Sequence, residues 1–265
     1  MEILKAIILG IVQGLAEFLP VSSSGHIELG QALLDYKLSP EDELLFSIVV
    51  HCATVLSTIV VFREEIWDLL KGIFKFQWNE ELEYATKIVL SMIPVAVVGL
   101  LFKDEIEALF TGNIVFVGCM LLVTAVLLFF TKYAKEKETA SGGKEVNYTD
   151  AILIGLAQAF AVLPGISRSG STIAVGLLLG VDKSKIAKFS FLMVLAPILG
   201  ITILDLKDLS SVSNVDQLAV AFVAAFISGW AACTWMLNIV KQAKLTYFAI
   251  YCAIVGTIAI LTGVL

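Results

Sequence analysis

The sequence predicts an all-α polytopic membrane protein with an inverted-topology repeat: six transmembrane helices plus two re-entrant helical hairpins that meet near the membrane midplane. Three observations predict this fold: the composition, the distribution of charge and an internal repeat. Of the 265 residues, 58% are hydrophobic and only 16% are charged, against roughly 45–50% and about 25% in an ordinary soluble domain. A water-soluble globule of this size cannot bury so many apolar side chains and still cover its surface with polar groups.

Long uncharged runs separate the charged clusters and supply the predicted spans. A bilayer core of about 30 Å needs around 20 apolar residues per helix, so runs of this kind are candidates for crossing it. The six predicted spans are 44–62, 88–102, 108–131, 189–204, 217–240 and 245–265.

The chain matches itself at an offset of 145 residues, which indicates two related halves. The positions that coincide are Gly10, Gln13, Ala16, Ser22, Ser24 and Gly25 with Gly155, Gln158, Ala161, Ser167, Ser169 and Gly170. A polar stretch lies between the halves and is typical of a linker. We therefore divide one membrane domain into a first repeat at 1–131, a cytoplasmic linker at 132–150 and a second repeat at 151–265.

Each half begins with an interrupted apolar segment, which we interpret as a re-entrant hairpin. The first hairpin covers 3–35 and is broken at 19–25, and the second covers 151–181 and is broken at 163–170. Proline, glycine and serine at the breaks end one short helix and start another. A kink in one long helix is the alternative, but two matching breaks at one offset favour hairpins.

The distribution of lysine and arginine predicts the orientation. Three spans per half is an odd number, so the second half is inverted relative to the first. The loops at 63–87, 132–150, 182–188 and 241–244 hold 13 of the 18 basic residues, whereas the N-terminus and the loops at 35–43, 103–107 and 205–216 hold 4. Basic loops favour the cytoplasm, so we expect both termini outside the cell membrane.

Several protein classes are excluded by the same composition. The net charge is −6 and no basic stripe is present, so we expect no nucleic acid partner. The four cysteines lie in apolar runs without a C-x-x-C pair, which indicates neither a disulfide framework nor a zinc site. The apolar N-terminus lacks a small-residue cleavage site, and we expect it to remain in the mature protein.

The two hairpin tips predict an anion site. Each second half-helix begins at a serine cluster, Ser22–Gly25 or Ser167–Gly170, and carries partial positive charge at its N-terminus. Arg168 lies on one tip, where its planar fork suits phosphate oxygens. The alternative role for Arg168 is an internal ion pair with Glu17 that holds the hairpins together. Charges at membrane depth are functional by default, which favours the anion site.

The first tip supplies groups for chemistry. Gln13 and Glu17 are spaced i, i+4 and share one helix face. Glu17 can act as a base or hold a divalent cation, and Gln13 can hydrogen-bond or lend a carbonyl to a metal. His26 titrates near neutral pH and follows the hydroxyl of Ser23, although a lone histidine at a helix start is often a capping or core residue. Together with Arg168, these residues offer a carboxylate, a nucleophile, an acid or base and an anion clamp.

Other polar residues have plainer interpretations. His51 could face the site, but a satisfied interhelical hydrogen bond is the better explanation. Glu28 lies off the face of His26 and is expected to reach the outer interface. Ser171 and Thr172 follow the second tip, where their hydroxyls either line the pocket or bond back to their own helix.

Two segments resemble a known family. Residues 13–26, Gln-Gly-Leu-Ala-Glu-Phe-Leu-Pro-Val-Ser-Ser-Ser-Gly-His, and residues 163–172, Leu-Pro-Gly-Ile-Ser-Arg-Ser-Gly-Ser-Thr, closely resemble the two signature motifs of the undecaprenyl-diphosphatase family, the bacitracin-resistance type of membrane phosphatase. The resemblance covers essentially the whole chain, and both motifs are highly specific. It implies hydrolysis of a polyprenyl diphosphate to the monophosphate and phosphate at a site open to the outer face, with a divalent cation, Mg²⁺ or Ca²⁺.

The resemblance also assigns residues one by one. The essential second glutamate of the family falls on Glu17, its serine pair on Ser22 and Ser23, its histidine on His26 and its arginine on Arg168. Three positions depart from the family pattern. The first acidic position is Gln13, so a metal role rests mainly on Glu17, while serine replaces a frequent threonine at Ser24 and histidine replaces glutamine at His51.

We therefore predict an undecaprenyl-diphosphate phosphatase that recycles a lipid carrier for cell-wall synthesis. The predicted catalytic residues are Glu17, Ser23, His26 and Arg168, and the predicted substrate-binding residues are Gln13, Ser22, Ser24, Gly25, Ser167, Ser169, Gly170 and Thr172. Either Ser23 or His26 is the nucleophile. The alternatives are a secondary transporter or lipid flippase, because broken helices in inverted repeats are typical of carriers, and a structural membrane subunit. The expected partners are the lipid substrate and membrane lipids, and we allow for a homodimer.

Overall fold

The fold is all-α and polytopic. The computed structural model describes residues 1–102, 105–106, 108–109, 113–134, 143–205, 214–242 and 245–264. Within those ranges the chain contains no β-strand beyond an isolated bridge between Lys144 and Val181. Parts of the predicted linker and loops, at 103–104, 107, 135–142, 206–213 and 243–244, lie outside the described residues.

Six helices make up the described part of the first half. They are α1 (Glu2–Phe18), α2 (Ser23–Leu34), α3 (Pro40–Val61), α4 (Arg63–Ile73), α5 (Glu80–Leu101) and α6 (Ile114–Phe130). Local sequence explains several starts. The side chains of Ser39, Asn79 and Asn113 accept a backbone N–H from the first turns of α3, α5 and α6, as N-caps do. Helix α4 falls within a segment that the sequence predicts only as a cytoplasmic loop.

Six helices also form the described part of the second half. They are α7 (Tyr148–Phe160), α8 (Arg168–Leu178), α9 (Lys183–Met193), α10 (Leu195–Asp205), α11 (Val215–Lys241) and α12 (Thr246–Val264). Helix α7 begins with a capping box, in which Asn147 and Asp150 each accept the other's backbone N–H. The second hairpin therefore begins slightly before the predicted residue 151.

Five of the described helices are long and apolar enough to cross a membrane: 41–61, 80–101, 114–133, 215–240 and 246–263. The remaining predicted span, 189–204, is instead divided between α9 and α10 at Val194. Pro197 explains the division, because a proline ring clashes with the carbonyl four residues earlier, here that of Met193. The protein is a multi-pass membrane protein, and the count of six spans stays a prediction.

Each segment that the sequence predicts to be a re-entrant hairpin contains two helices with a break between them, and the re-entrant course stays a prediction. Helix α1 ends at Phe18 and α2 begins at Ser23, while α7 ends at Phe160 and α8 begins at Arg168. Both second arms have the same cap. Ser22 Oγ accepts the N–H of Gly25, and Ser167 Oγ accepts the N–H of Gly170. The breaks predicted from proline, glycine and serine are confirmed.

The two halves pack on each other in a reciprocal way. The first arm of each hairpin packs against a long helix of the other half, α1 on α11 and α7 on α5, and α6 packs on α12. Small residues allow these approaches. A Cβ added at Gly10 would lie 2.5 Å from the carbonyl oxygen of Ala221, and one at Gly155 would lie 2.3 Å from that of Ser91. The two glycines coincide in the 145-residue repeat. In both copies, therefore, a glycine at the same position allows the first arm of the hairpin to approach a helix of the other half closely.

Contacts between loops divide the molecule into two ends. At one end Lys188 Nζ pairs with Glu65 at 2.9 Å, and Lys185 pairs with Glu145. These pairs join three of the loops predicted to be cytoplasmic. At the other end the hydroxyl of Tyr36 donates to Gln217 at 2.7 Å. This bond joins the predicted outer loop at 35–43 to the start of α11, just after the predicted outer loop at 205–216. Each of these contacts joins segments that the charge distribution places on one side of the membrane, and the orientation of the loops stays a prediction.

Candidate active site

The tips of the two hairpins meet. Ser169 Oγ, in the first turn of α8, donates to the carbonyl of Leu19 at 3.4 Å. Gly25 and Gly165 lie so close that a Cβ on Gly25 would be 3.1 Å from Cα of Gly165. The meeting of the tips confirms that part of the predicted arrangement, and their depth in the bilayer stays a prediction.

Glu17 is the centre of the cluster at the tips. Its Oε1 lies 2.9 Å from Arg168 Nη2, and its Oε2 accepts Ser23 Oγ at 2.7 Å and Gln13 Nε2 at 3.0 Å. The Glu17 side chain is 9% exposed and the Arg168 side chain 28% exposed. A buried carboxylate needs such partners, because an unpaired charge away from water is costly. Three of the four predicted catalytic residues therefore meet in one hydrogen-bonded group, and the ion pair considered as the alternative role of Arg168 is present.

His51 joins this cluster from α3. Its Nε2 lies 3.7 Å from Glu17 Oε2, and its Nδ1 lies 2.8 Å from the carbonyl oxygen of Ser47. A carbonyl only accepts hydrogen bonds, so Nδ1 carries a proton and Nε2 is the atom that faces the carboxylate. The sequence favoured an interhelical hydrogen bond for His51, and no motif signals its approach to Glu17.

The predicted substrate-binding serines shape the two caps. Ser22 Oγ lies 3.3 Å from Ser24 Oγ, and Ser167 Oγ lies 3.4 Å from Ser169 Oγ. The backbone N–H of Ser167 donates to the hydroxyl of Thr124, a residue of α6 that sequence reasoning missed. Because each N-cap serine satisfies one amide, both tips present ordered helix N-termini with positive partial charge.

His26 lies beside the first tip but outside the Glu17 cluster. Its Nδ1 is 2.8 Å from the carbonyl oxygen of Ser22, and its Nε2 is 2.9 Å from the hydroxyl of Tyr251 on α12. No hydrogen bond joins the ring to Glu17, Ser23 or Arg168 among the described residues. His26 is therefore not part of the hydrogen-bonded group that joins the other three predicted catalytic side chains in the described part of the chain.

Thr172 points into the protein. It is fully buried, and its hydroxyl lies 2.5 Å from Ser190 Oγ and donates to the carbonyls of Arg168 and Ser169. Of the two roles predicted for this hydroxyl, the bond back to its own helix is the one observed. Thr172 therefore holds the start of α8 against α9, and its substrate-binding role stays a prediction.

A cleft opens beside the cluster, between α3 and the α9–α10 pair. It holds about 370 Å³ of empty space, including space open to the outside. The cleft is lined by polar side chains, Glu17, Arg168, Ser169, Thr54, Thr58 and Ser190, and by apolar ones that include Val55, Phe191, Leu195 and Ile198. The Glu17–Arg168 pair therefore lies beside apolar side chains of α3, α9 and α10.

The cluster offers few oxygen ligands to a divalent cation. Within the described residues no group of three or more His, Cys, Asp and Glu side chains could hold a metal. Gln13 Oε1, however, is buried and has no hydrogen-bond partner, although the Nε2 of the same side chain binds Glu17. Gln13 and Glu17 therefore fit a cation that takes its remaining ligands from a bound phosphate, as Mg²⁺ often does.

The arrangement is suited to phosphoryl transfer. Ser23 Oγ already donates to a carboxylate that can take its proton, which is the geometry of a nucleophile with a base. Arg168 and the two helix N-termini supply positive charge for a phosphate. The cluster therefore brings together a hydroxyl, a carboxylate and a guanidinium, which are the groups that such a reaction requires.

Comparison with known proteins gives a consistent family. The model of the family "Bacitracin resistance protein BacA" matches residues 6–258. Proteins named undecaprenyl-diphosphatase are similar over almost their whole length. The one from Christiangramia forsetii is 53% identical over 98% of both chains, and the one from Parabacteroides distasonis is 54% identical over 97% of this chain and 96% of the relative. A third, from Methanosphaera stadtmanae, is 36% identical over 100% of this chain and 99% of the relative. The chain belongs to the BacA family of bacitracin resistance proteins.

Proposed function

We propose that the protein is a membrane phosphatase that hydrolyses undecaprenyl diphosphate to undecaprenyl monophosphate and inorganic phosphate, and so recycles the lipid carrier for cell-wall synthesis. The observation that carries this proposal is the hydrogen bond of 2.7 Å between Ser23 Oγ and Glu17, beside the guanidinium of Arg168. The family and the names of the relatives support the same activity. A transporter or flippase is not favoured, because a carrier has no need of a nucleophile paired with a base.

The cleft suggests how the substrate binds. The diphosphate lies against Arg168 and the helix N-termini, and the first part of the prenyl chain lies along the apolar side chains that line the cleft, Val55, Phe191, Leu195 and Ile198. The chain then continues into the lipid. This orientation brings the terminal phosphorus near Ser23, because Ser23 and Arg168 share the carboxylate of Glu17.

The reaction then proceeds in two steps. Ser23 Oγ attacks the terminal phosphorus, its proton passes to Glu17, and the bond from that phosphorus to the bridging oxygen breaks, so undecaprenyl monophosphate leaves. Protonation of Glu17 removes the charge that held Arg168, and the guanidinium is free to bind the transferred phosphoryl group. The proton on Glu17 leaves with the undecaprenyl monophosphate, which restores the carboxylate. Water then attacks the phosphorus of the phosphoserine and gives a proton to Glu17, the bond between Ser23 Oγ and phosphorus breaks, and Oγ takes that proton back as inorganic phosphate leaves.

His26 is the alternative nucleophile, and the geometry favours Ser23. Both nitrogens of the His26 ring have partners away from the cluster, Ser22 and Tyr251. Ser23, in contrast, has its base in place. A divalent cation held by Gln13, Glu17 and the substrate would neutralise part of the charge of the diphosphate.

The topology proposed with this function has six spans and an inverted repeat, with both termini and the mouth of the site outside. The reciprocal packing of α1 on α11 and α7 on α5 supports an inverted repeat, because a pseudo-twofold axis relates such pairs. The two groups of loop contacts support the segregation of basic loops to one end. By the positive-inside rule that end faces the cytoplasm.

The test is the release of inorganic phosphate from undecaprenyl diphosphate by purified protein in detergent. We expect steady release by the wild type and by Ser228→Ala, whose hydroxyl donates, among the described residues, to carbonyls of its own helix. We expect release near background by Ser23→Ala. Normal turnover by Ser23→Ala with loss in His26→Ala would assign the nucleophile to His26. Movement of the intact lipid across vesicles without phosphate release would make the protein a carrier.

A chelator tests the proposed cation separately. We expect EDTA to lower turnover and added Mg²⁺ or Ca²⁺ to restore it. Full activity after chelation would show that Arg168 and the helix N-termini suffice.

A further inference from the structure

A contact between Tyr251 and His26 links the last helix to the first hairpin. The Tyr251 hydroxyl lies 2.9 Å from His26 Nε2, and the two rings are nearly parallel, with an angle of 14° between their planes. The residues are 225 positions apart in the sequence, on α12 and α2. The signature motif that contains His26 gives no indication of this partner.

The hydrogen bonds fix the tautomer of His26. The other ring nitrogen, Nδ1, faces the carbonyl of Ser22, which only accepts, so Nδ1 carries the proton. In a neutral ring Nε2 is then an acceptor, and Tyr251 O–H is the donor. The imidazole is therefore held at both ends, by the backbone of its own hairpin and by a tyrosine of the opposite half.

The residue that His26 binds has a strained backbone. Ser22 has φ of 72°, in a region that L-residues other than glycine rarely adopt. Such conformations persist only where surrounding contacts hold them. The carbonyl of Ser22 accepts both the backbone N–H and the ring Nδ1–H of His26, and the next residue is Ser23. A chain of hydrogen bonds therefore runs from Tyr251 through His26 to the peptide that orients Ser23.

A neighbouring contact places α12 against the same tip. Cys252 Sγ lies 3.7 Å from the carbonyl oxygen of Pro20, and Cys252 is fully buried. Two consecutive residues of α12 thus contact the first hairpin, Cys252 at Pro20 in the break and Tyr251 at His26 in the first turn of α2. Helix α12 is part of the wall that holds the tip, and not only a membrane anchor.

We propose that Tyr251 is a positioning residue of the enzyme, which acts through His26 to hold the Ser22–Ser23 tip in its reactive geometry. This inference rests on the proposed phosphatase for its kinetic consequence. It assigns His26 the task of fixing the tip, while Ser23 and Glu17 carry out the chemistry.

The kinetic test is Tyr251→Phe, which removes only the hydroxyl. We expect kcat for phosphate release to fall about fivefold to tenfold, the size expected for one hydrogen bond, with KM almost unchanged because no substrate contact is lost. Tyr247→Phe is the matched control, one turn earlier on α12 and 70% exposed, and should match the wild type. In a His26→Ala background Tyr251→Phe should cause no further loss, since the two residues act as one unit.

A spectroscopic test does not depend on activity. The chain has two histidines, so ¹⁵N-histidine labelling gives few ring signals, which His51→Gln assigns. We expect His26 as the Nδ1–H tautomer, with an Nε2 signal that shifts in Tyr251→Phe and not in Tyr247→Phe. An unshifted Nε2 signal, an unchanged kcat in Tyr251→Phe, or an equal loss with and without His26 would overturn the inference. Absence of phosphate release by the wild type would overturn the proposed function instead, and the spectra would still test the contact.

Discussion

The two hairpin tips have the same backbone design and different chemistry. In both, a serine caps the second helix and accepts the N–H three residues later, Ser22 from Gly25 and Ser167 from Gly170. At the equivalent reactive positions the side chains differ. The offset of 145 relates Ser23 to Arg168, and Glu17 to the apolar Val162.

This difference shows how a repeat can produce an asymmetric site. Both halves keep the paired helix N-termini that favour an anion. One half has the carboxylate and the hydroxyl, and the other has the guanidinium, so the three groups meet only when the tips meet. Two copies of the first tip would bring two carboxylates together, and two copies of the second would bring two cations together, which repel each other.

The glutamines in the first arms of the two hairpins, Gln13 and Gln158, also differ in their hydrogen bonding. Gln13 donates to Glu17, whereas neither side-chain atom of its counterpart Gln158 has a hydrogen-bond partner among the described residues, although Gln158 is 1% exposed. The reason lies four residues further along the chain, just past the end of α7, where Val162 stands in place of the carboxylate. The second half keeps the amide without its partner.

The largest expected effect comes from removing the charge on the first tip. Glu17→Gln keeps the shape of the side chain but cannot take the proton of Ser23, so we expect kcat to fall about a thousandfold, as for loss of a general base. Glu41→Gln, an exposed carboxylate in the first turn of α3, is the matched control and should be fully active. An active Glu17→Gln would show that the carboxylate serves only to pair with Arg168.

A smaller effect is expected from changing the cation on the second tip. Arg168→Lys keeps the charge but loses the planar fork that can bind two oxygens, so we expect kcat/KM to fall about 10- to 100-fold, the size of one or two charge-assisted hydrogen bonds. The other arginine of the chain, Arg63, is exposed at the start of α4, and Arg63→Lys should leave kcat/KM unchanged. Equal losses in the two variants would contradict a specific role for the guanidinium of Arg168.

Replacing the two glutamines tests the comparison within the first arms. Gln158→Leu removes buried polar atoms that have no partner in the described structure, so we expect the free energy of unfolding to rise by about 1 kcal/mol or stay unchanged. Gln13→Leu removes a hydrogen bond to Glu17, and here we expect lower turnover. Thermal unfolding in detergent and phosphate release measure the two effects. A marked loss of stability in Gln158→Leu would indicate a partner, such as a buried water.

The smallest effect is expected for an ion pair at the loop end of the molecule. Burial raises the pKa of Glu65, but the hydrogen bond and charge of Lys188 outweigh this effect and hold the pKa below its usual value. A lowered pKa stabilises the fold above the unfolded pKa, and this stability is lost as the pH falls through the folded pKa. Glu65→Gln should therefore cost less than about 1 kcal/mol at neutral pH and nothing in acid. In a Lys188→Met background, Glu65→Gln should have the same small effect on the free energy of unfolding at neutral pH as in acid. A large effect of Glu65→Gln at all pH values would contradict this explanation.

Local signals predicted the parts of the site that depend on nearby residues. Proline, glycine and serine at 19–25 and 163–170 gave both breaks, because these residues act on the backbone around them. The spacing of Gln13 and Glu17 gave their shared face. The pairing of Glu17 with Arg168 was considered as an alternative, since two opposite charges in apolar segments have few other partners.

Contacts between distant segments were not predicted. His26 turns away from Glu17 because Tyr251 holds its ring, and nothing near either residue signals that pairing. His51 approaches Glu17 only through the packing of α3 against the first hairpin. The division of the predicted span 189–204 is predictable from the sequence, because the ring of Pro197 clashes with the carbonyl of Met193 in a continuous helix.

We expect the ion pair between Glu17 and Arg168 to affect which lipids compete for the site. A lipid headgroup that binds Arg168 must displace the carboxylate of Glu17, which carries a charge of −1 and lies 2.9 Å from the guanidinium. The phosphodiester of a bulk phospholipid carries a single negative charge, so it gains little from this exchange. A terminal diphosphate carries more charge and more oxygens. The resting ion pair would therefore disfavour binding of the abundant phospholipids of the membrane and still allow the scarce diphosphate to bind.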